Sequence, residues 1–388
     1  MPTMEGYPLG ADKLAVVLEF GTSFTRCGFV NEHAPRAIVR SETLDLKNGR
    51  RKLFDMKDGH ELYEELRKFI QPLYFRVMAV NPKDRKVIIV ESILTPTKFR
   101  TALVKVLFNY FEVPAIAFVP NHLMSLMTLI CHTALVVDVG YSECSVTPVV
   151  EGITMVDSIA FSSLGGKAIH QRIRDDLIKY NGTISQNGSP FVFNKSALED
   201  LSEETIEDMK VRTCFIPSFS RGQQLIQSLI DDTQPENKPN DVKYPMEGER
   251  ALKIPGIIRE ASAQVIFEPK GNEATISSLI LDLIQNSPVD VRKTLASNIV
   301  LTGGTVMMTG FKRRLKQELE NLCRIRKLTP EMSCFKFHSL PCPANYSSWL
   351  GGAIFGSTEA AASRMITKKQ IETVKGVLIS DWNSWTPN

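Results

Sequence analysis

The sequence lacks any Cys-x-x-Cys pair, although it contains seven cysteines. A disulfide-stapled secreted domain or a paired-cysteine zinc site would need clustered, evenly numbered cysteines. Here they are scattered and odd in number, at Cys27, Cys131, Cys144, Cys214, Cys323, Cys334 and Cys342. Cys334, His338 and Cys342 also fit no common zinc spacing. The cysteines therefore predict a reduced compartment, the cytoplasm.

The sequence also lacks an apolar run of membrane-spanning length, a signal-like N-terminus and a strong net charge. Its 46 basic and 43 acidic residues give a formal charge of +3, which indicates no preference for nucleic acid or anionic membranes. With 388 residues, 43% of them hydrophobic, the chain can bury a large core and divide into more than one domain. We expect a soluble intracellular protein that binds no nucleic acid and does not insert into a membrane.

Two stretches more than a hundred residues apart share one pattern, an apolar strand that ends in a carboxylate and a glycine turn. The first ends at Glu19 and Gly21, and the second ends at Asp138 and Gly140. A glycine turn lets backbone N–H groups approach a phosphate closely, and a neighbouring acid can hold a hydrated cation. The pair therefore predicts a site that cradles a polyphosphate and its Mg²⁺.

A third buried strand opens through Gly303 and Gly304 into a helix predicted to begin near Gly310. With this strand the sequence resembles the actin family, within the superfamily of actin, Hsp70 and the sugar kinases. The segments that carry the resemblance follow the family order along nearly the whole chain: residues 19–29, 34–37, 111–152, 164–167, 208–210, 289–293, 298–304 and 349–353.

The resemblance implies an α/β fold with two related α/β domains around a nucleotide cleft. It implies four subdomains: subdomain 1 at residues 1–40, 55–128 and 346–388, a truncated subdomain 2 at 41–54, subdomain 3 at 129–164 and 273–345, and subdomain 4 at 165–272.

Apolar periodicity and turn formers refine this outline. The predicted strands are residues 87–90 and 113–118, the predicted helices are 98–110 and 123–130, and the predicted surface loops are 185–190 and 231–240.

The resemblance also implies a nucleotide site for ATP or ADP with Mg²⁺. The residues at the family's nucleotide-binding positions are Glu19, Gly21, Thr22, Ser23, Arg26, Asp138, Gly140, Tyr141, Ser142, Gly166, Lys210, Gly303, Gly304 and Thr305. Glu19 and Asp138 are the expected metal carboxylates, acting through water.

Departures from the family at this site predict that nucleotide is retained rather than turned over. Tyr141 and Val211 replace ribose-contacting acids, and Ser142 replaces a glycine. Asn121 and Ser145 stand where the family orients the attacking water with Gln and His. ATP hydrolysis depends on the positioning of the attacking water, so the absence of this Gln and His predicts a protein that is not an enzyme.

Two loop differences bear on self-assembly. The chain is roughly two dozen residues shorter than the family pattern between Phe29 and Phe111, and the missing part begins after Ser41, in the subdomain that inserts into the next filament protomer. Residues 267–274 place charge where the family has an apolar loop between filament strands. Losing apolar contact weakens association at about 25 cal/mol per Å².

Within the family, the short subdomain 2 and several longer strings resemble the divergent actin-related proteins at the pointed end of dynactin. The strings are residues 73–76, 80–87, 91–92, 111–114, 212–215, 244–245, 248–249 and 350–356. The resemblance implies a cytoplasmic, cytoskeletal cap on dynactin's actin-like filament, which supports dynein-driven transport along microtubules. The implied partners are the filament subunit and the other pointed-end subunits. The resemblance also implies a groove on the barbed-end side that receives a loop from the neighbouring subunit. Residues 142–152 and 346–357 keep the family pattern of this groove.

Three other interpretations stay open at this point. The chain could be a nuclear actin-related protein of a chromatin-remodelling complex, a slow actin-like ATPase, or another enzyme of the superfamily. The basic run at residues 312–316 is interpreted as a solvated helix face. His122 and His132 are interpreted as structural histidines, and Trp382 and Trp385 predict docking of the C-terminal tail.

Overall fold

The computed structural model describes residues 13–45, 49–186, 189–192, 201–231, 233, 235–246, 248, 250–268, 274–328 and 334–373. They fall into two compact units, which are treated separately. The first unit holds the described residues up to Cys131 and from Tyr346 onward, and the second holds those from His132 to Asn345. Residues 269–273 of the predicted polar loop, Trp382 and Trp385 lie outside the described residues.

The described strands, numbered in chain order, are β1 Val16–Phe20, β2 Phe24–Phe29, β3 Ala37–Arg40, β4 Glu42–Asp45, β5 Gly49–Lys52, β6 Val87–Glu91, β7 Ala115–Pro120, β8 Ala134–Val139, β9 Cys144–Val150, β10 Ile153–Thr154, β11 Ala160–Ser162, β12 Thr183–Gln186, β13 Ser189–Val192, β14 Val242–Pro245, β15 Arg250–Ile254, β16 Ile299–Thr302 and β17 Ile366–Thr367.

The described α-helices are α1 Gly59–Pro72, α2 Thr97–Lys105, α3 Asn121–Met127, α4 Gly166–Lys179, α5 Glu203–Thr213, α6 Phe219–Ile230, α7 Gly256–Gln264, α8 Ile276–Asn286, α9 Val289–Ser297, α10 Phe311–Ile325, α11 Ser347–Gly356, α12 Glu359–Ser363 and α13 Lys368–Thr373. Among the described helices, none combines the length and apolar character that a bilayer crossing would need.

The first unit is built on a six-stranded mixed sheet with the order β17-β7-β6-β1-β2-β3. Strands β1, β6 and β7 are parallel, and β2 runs antiparallel to β1. Both faces of the sheet are buried, because Val16 and Leu18 pack into one hydrophobic cluster and Val17 packs into another. This is why the central strands have uninterrupted apolar sequences. On the second face, fully buried Trp349 donates Nε1–H to the Val17 carbonyl at 3.1 Å.

The second unit contains a sheet with the order β10-β9-β8-β16, with β11 also paired to β9, and a separate antiparallel sheet β13-β12-β15-β14. Strands β8 and β16 are parallel, with Asp138 opposite Thr302. Helices surround one continuous hydrophobic core that includes residues from both sheets. The predicted α/β class is confirmed.

Most predicted elements are present near their expected positions. Strand β6, helix α2 with the π-helical turn Val106–Tyr110, and strand β7 form the predicted β-α-β unit. Helix α3 begins at Asn121 and ends at Met127, earlier than predicted. The described part of residues 231–240 contains no helix or strand, as expected of a loop.

Two sequence interpretations were wrong. Residues 185–190 were predicted to form a loop, but Ser185 and Gln186 lie in β12, Ser189 and Pro190 lie in β13, and Ser185 pairs with Pro190. The turn formers there mark a hairpin rather than a longer loop. The basic run at 312–316 is not wholly solvated, because the Arg314 side chain is 1% exposed.

Arg314 instead organises the interior of the second unit. Its guanidinium contacts the Glu318 carboxylate at 2.7 and 2.8 Å and donates to the Gln264 side-chain oxygen at 2.8 Å. A Cβ on Gly222 would lie 2.2 Å from the guanidinium, so only glycine fits at that position of α6. Burial raises the pKa of Glu318, and the nearby Arg314 charge opposes this.

We therefore expect Arg314→Met to destabilise the protein by about 3–5 kcal/mol, because it leaves Glu318 buried without its counter-charge. Urea unfolding followed by circular dichroism measures this. The neighbouring exposed change Arg313→Met serves as the control and should shift stability by less than about 0.5 kcal/mol. Equal unfolding midpoints for the two variants would show that the buried ion pair is not a stability element.

Candidate nucleotide site

The first glycine turn connects β1 to β2 in the first unit. Gly21 donates its N–H to the Phe24 carbonyl at 3.1 Å, which closes the turn. A Cβ on Gly21 would lie 2.8 Å from the same carbonyl oxygen, so a larger residue would force the turn open. Thr22 and Ser23 lie in this turn and are partly exposed. The predicted phosphate-type turn is therefore present as a local structure.

Ser41 holds this turn from the start of the shortened segment. Its hydroxyl donates to the Gly21 carbonyl at 2.6 Å and contacts the Thr25 hydroxyl at 2.8 Å. Its backbone N–H donates to the Ser23 carbonyl at 2.9 Å, and Ser41 is 1% exposed. The residue that begins the shortened segment is thus part of the support of the turn.

Glu19 lies at the end of β1, buried between two partners. Its Oε1 accepts a hydrogen bond from the Ser348 hydroxyl at 2.7 Å and lies 3.4 Å from Arg26 NH1. The Arg26 charge partly neutralises this carboxylate, which weakens its attraction for a cation. Sequence reasoning missed Ser348, because 329 positions separate it from Glu19. The roles of Glu19 and Arg26 toward a ligand stay predictions.

The second glycine turn and the Gly303 turn meet in the second unit. Gly303 has φ +93°. A Cβ there would lie 2.3 Å from the Val139 carbonyl and 2.6 Å from Asp138 Oδ1, so this backbone passes directly beside the Asp138 carboxylate. A Cβ on Gly304 would meet no atom within 4 Å. The structure brings Asp138 and the Gly303–Gly304 turn together, and their role toward a ligand stays a prediction.

Gly140 is the centre of this group. Its carbonyl accepts hydrogen bonds from the Gly166 N–H at 3.0 Å and from the Thr305 hydroxyl at 2.8 Å. Tyr141, the next residue, accepts the Lys167 N–H at 2.7 Å. The turn is therefore anchored to the start of α4 and to the segment after β16, while Ser142 follows it as a partly exposed residue.

Lys210 reaches the same region from α5. Its Nζ would lie 3.5 Å from a Cβ on Gly166, and it forms an ion pair with Glu207 at 2.7 Å. His170 lies between two carboxylates, with Nδ1 2.9 Å from Glu203 and Nε2 2.7 Å from Glu207. The Lys210 side chain is thus fixed by an internal polar network rather than extended into solvent.

Tyr141 belongs to this network as well. Its hydroxyl donates to Glu203 at 2.9 Å, and Arg174 contacts the other Glu203 oxygen at 2.8 Å. The hydrogen bond from His170 holds the pKa of Glu203 well below its usual range, against the effect of burial. Burial would raise the pKa of Glu207, but His170 and Lys210 outweigh it and lower the value to about 2. Burial and the bond to Glu203 raise the pKa of Tyr141.

Nothing in the sequence motif identified His170 or Glu203. They lie outside the segments that carry the family resemblance, and they meet Tyr141 only through the packing of α4 against α5. The replacement of an acid by Tyr141 was the one available signal, since a phenol in that place needs an acceptor when buried.

The second unit fits a phosphate-bearing ligand with a cation. Glu143 lies in the Gly140 turn, where its carbonyl accepts the Gly140 N–H at 2.9 Å, and burial and then the charge of Asp138 raise the pKa of its carboxyl. Among the described residues no group of three or more His, Cys, Asp or Glu side chains is arranged to bind a metal. A cation there would therefore need ligand phosphates and water to complete its shell, which suits Mg²⁺.

The two residues at the water-orienting positions lie in different units. Asn121 is the first residue of α3, and its carbonyl accepts the Ser125 hydroxyl at 3.0 Å. Ser145 lies in β9 opposite Asp138 and is 8% exposed.

His122, beside Asn121, provides a pH-dependent test of the first unit. Burial lowers its pKa to about 4, below the usual value near 6.5. As the pH falls, the unfolded chain therefore binds a proton at this histidine before the folded chain does. The stability that His122 contributes above about pH 6.5 is lost as the pH falls through about 4. The gap corresponds to at most about 3 kcal/mol.

We expect His122→Asn to remove up to about 3 kcal/mol of the loss in unfolding free energy between pH 7 and pH 4. Chemical denaturation at several pH values measures it. The same change at exposed His33 is the control for losing a histidine. Parallel pH profiles for the wild-type chain and His122→Asn would contradict the assignment.

Two comparisons with known proteins bear on the family of the chain. The family model described as Actin matches residues 10–377. Actin-related protein 10 of Dictyostelium discoideum is 27% identical over 443 aligned positions, which cover 96% of this chain and 90% of that protein.

Proposed function

This chain belongs to the actin family, and on that basis we propose that it is a non-catalytic subunit that caps the pointed end of dynactin's actin-like filament. The assignment to dynactin is supported by the strings shared with pointed-end actin-related proteins and by the likeness to an Actin-related protein 10. It acts in the cytoplasm, on the cytoskeleton, in support of dynein-driven transport.

The observation that carries the proposal is the short hairpin of β4 and β5. Its strands have four residues each, and they lie in the segment that the sequence predicts to be a truncated subdomain 2. Both ends are tied down, by Ser41 at one side and by fully buried Leu53 at the other, with Leu53 N–H bonded to the Ser41 carbonyl at 3.0 Å. Phe54 then stacks on Phe99 with ring centroids 4.3 Å apart. The described ends of this segment are therefore fixed to the first unit.

The second unit, in contrast, presents exposed apolar side chains just after residues 142–152, which keep the family pattern of the barbed-end groove. Ile153 in β10 is 61% exposed and Phe161 in β11 is 63% exposed. Both strands pair with β9, so the two side chains stand on a fixed sheet edge. Exposed apolar groups on a rigid element suit a permanent protein contact. A subunit that binds the filament through one face and lacks the filament contact on its opposite face stops filament growth.

A retained nucleotide would support this role as a structural ligand. When bound, its phosphates and Mg²⁺ would supply charges that stabilise the glycine turns, and they would not take part in a reaction. In the second unit, Gly140 and Gly303 allow close backbone approach, and Asp138 would hold the cation through water. The chain's contribution is to bind and orient the nucleotide. The contacts of Tyr141 with Glu203 and of Lys210 with Glu207 fix the local geometry.

Matched apolar-to-acid substitutions on the two surfaces test the proposal. Ile153→Asp with Phe161→Asp should release the tagged chain from the actin-like filament, because charge would have to be buried at the contact. Leu44→Asp, on the hairpin and 74% exposed in the parent chain, should leave it attached. Affinity purification with quantitative mass spectrometry of filament and pointed-end subunits measures both.

Detachment by Leu44→Asp alone, with the double variant still bound, would reverse the polarity and refute capping by this mechanism. Recovery of chromatin-remodelling subunits in place of dynactin subunits would refute the assignment to dynactin. Circular dichroism of each purified variant controls for folding.

A further inference from the structure

A groove in the second unit has features that the proposed function does not use. It lies between the start of α10 and the segment after Cys334, with a volume of about 650 Å³. Its floor is apolar and includes Phe335, which is 4% exposed, and the partly buried Phe337. We call it the basic groove, because its rim carries Lys312, Arg313, Lys316 and Lys336.

The rim cations have few anionic partners. Lys316 lies 3.9 Å from Glu320. Within the part of the chain that the structure describes, Lys312, Arg313 and Lys336 form no ion pair with a carboxylate. All four side chains are exposed. Among the described residues, the lining of the groove therefore carries four basic side chains and no acidic one.

The placement of Lys312 and Arg313 also opposes local stability. They occupy the first turn of α10, whose 15 residues begin after Gly310, and that turn contains no acidic residue. Cations at a helix N-terminus are unfavourable, because the helix dipole is positive there. A residue choice that breaks a local rule often serves binding, and here it raises the positive potential at the mouth of the groove.

The apolar floor decides what kind of anion fits. Lys312 Nζ lies 5.8 Å from the centre of the Phe337 ring, so cationic and aromatic surfaces are adjacent. A bare phosphate or a nucleic-acid backbone would satisfy the rim and leave the floor in water. An acidic peptide with one large apolar side chain would satisfy both, with the side chain on the floor and the carboxylates at the rim.

We propose that the basic groove binds an acidic segment of a partner protein that carries a single large apolar side chain. The site is a second interaction surface, and it does not depend on capping. The charge complementarity of the rim selects the segment, and the floor accepts its apolar residue. Because the groove is built on a helix and a strand-like segment hydrogen-bonded to β16, it needs no rearrangement to bind.

The probe is a fluorescein-labelled dodecapeptide with six carboxylates around one tryptophan, added to the full chain and followed by fluorescence anisotropy. Lys312→Glu with Arg313→Glu should weaken binding at least tenfold. This variant should fold, since acids at a helix N-terminus are favourable. The control is Lys293→Glu with Arg324→Glu, the same charge change at exposed positions outside the groove, and it should alter binding less than twofold.

Two further peptides separate the contributions. The peptide with its carboxylates replaced by amides, and the acidic peptide with serine in place of tryptophan, should each bind at least tenfold more weakly. Equal binding of either peptide would overturn the proposal. So would tighter, Lys312- and Arg313-dependent binding of a single-stranded RNA oligonucleotide or of phosphatidylserine vesicles, or an equal response of the two charge-reversal variants.

Discussion

The purified chain is expected to remain in the supernatant under the salt and Mg²⁺ conditions that polymerise actin. Filament growth needs a contact that repeats on both faces of every subunit. Here the hairpin of β4 and β5 is short and anchored at Ser41 and Leu53. Each 100 Å² of apolar surface missing from an insertion contact removes about 2.5 kcal/mol, or roughly 70-fold in the association constant.

High-speed sedimentation of the chain beside actin in the same buffer measures this, with actin as the positive control. Electron microscopy of the supernatant checks for short filaments. A pellet of regular filaments from the chain alone would show that the hairpin supports a repeating contact. Electron microscopy of the resuspended pellet distinguishes regular filaments from amorphous material.

The parts of the site that the sequence predicted are those that depend on local rules. Gly21 and Gly303 were predicted from strands ending in glycine, and both occupy positions where a Cβ would collide with a carbonyl oxygen. Strands β1 and β6 were readable because both faces of the sheet are buried, which gives continuous apolar runs. Steric and burial constraints of this kind are visible within a few residues.

The parts that escaped prediction depend on residues far apart in the chain. Arg314 reads as one more member of a basic run, yet its place in the interior follows from the missing side chain at Gly222, in another helix. The acceptor for Tyr141 is Glu203, 62 positions away. A pattern of residue types cannot specify such partners, because many placements of the helices satisfy the same periodicity.

The internal network around His170 bears directly on catalysis. A histidine could replace a missing water-orienting group only if a ring nitrogen were available. Both ring nitrogens of His170 are within hydrogen-bond distance of carboxylates, those of Glu203 and Glu207. His122, which follows Asn121 in the chain, is 4% exposed and buried in α3. Neither is placed to substitute for the residues that Asn121 and Ser145 replace.

We therefore expect ATP loaded onto the chain to persist, with phosphate release at least about 100-fold slower than in filamentous actin, since orientation of the attacking water supplies that much or more of such reactions. Chromatography of nucleotide extracted from the freshly purified complex should contain triphosphate. Release of labelled phosphate over several hours gives the rate.

Asn121→Ala with Ser145→Ala should leave this slow rate unchanged within twofold, because neither side chain positions water. Asn121→Gln with Ser145→His, which restores the family's residue types, should raise it. Rapid hydrolysis by the parent chain, or a loss of rate in the alanine variant, would identify these residues as catalytic and end the interpretation of the chain as a non-enzymatic cap.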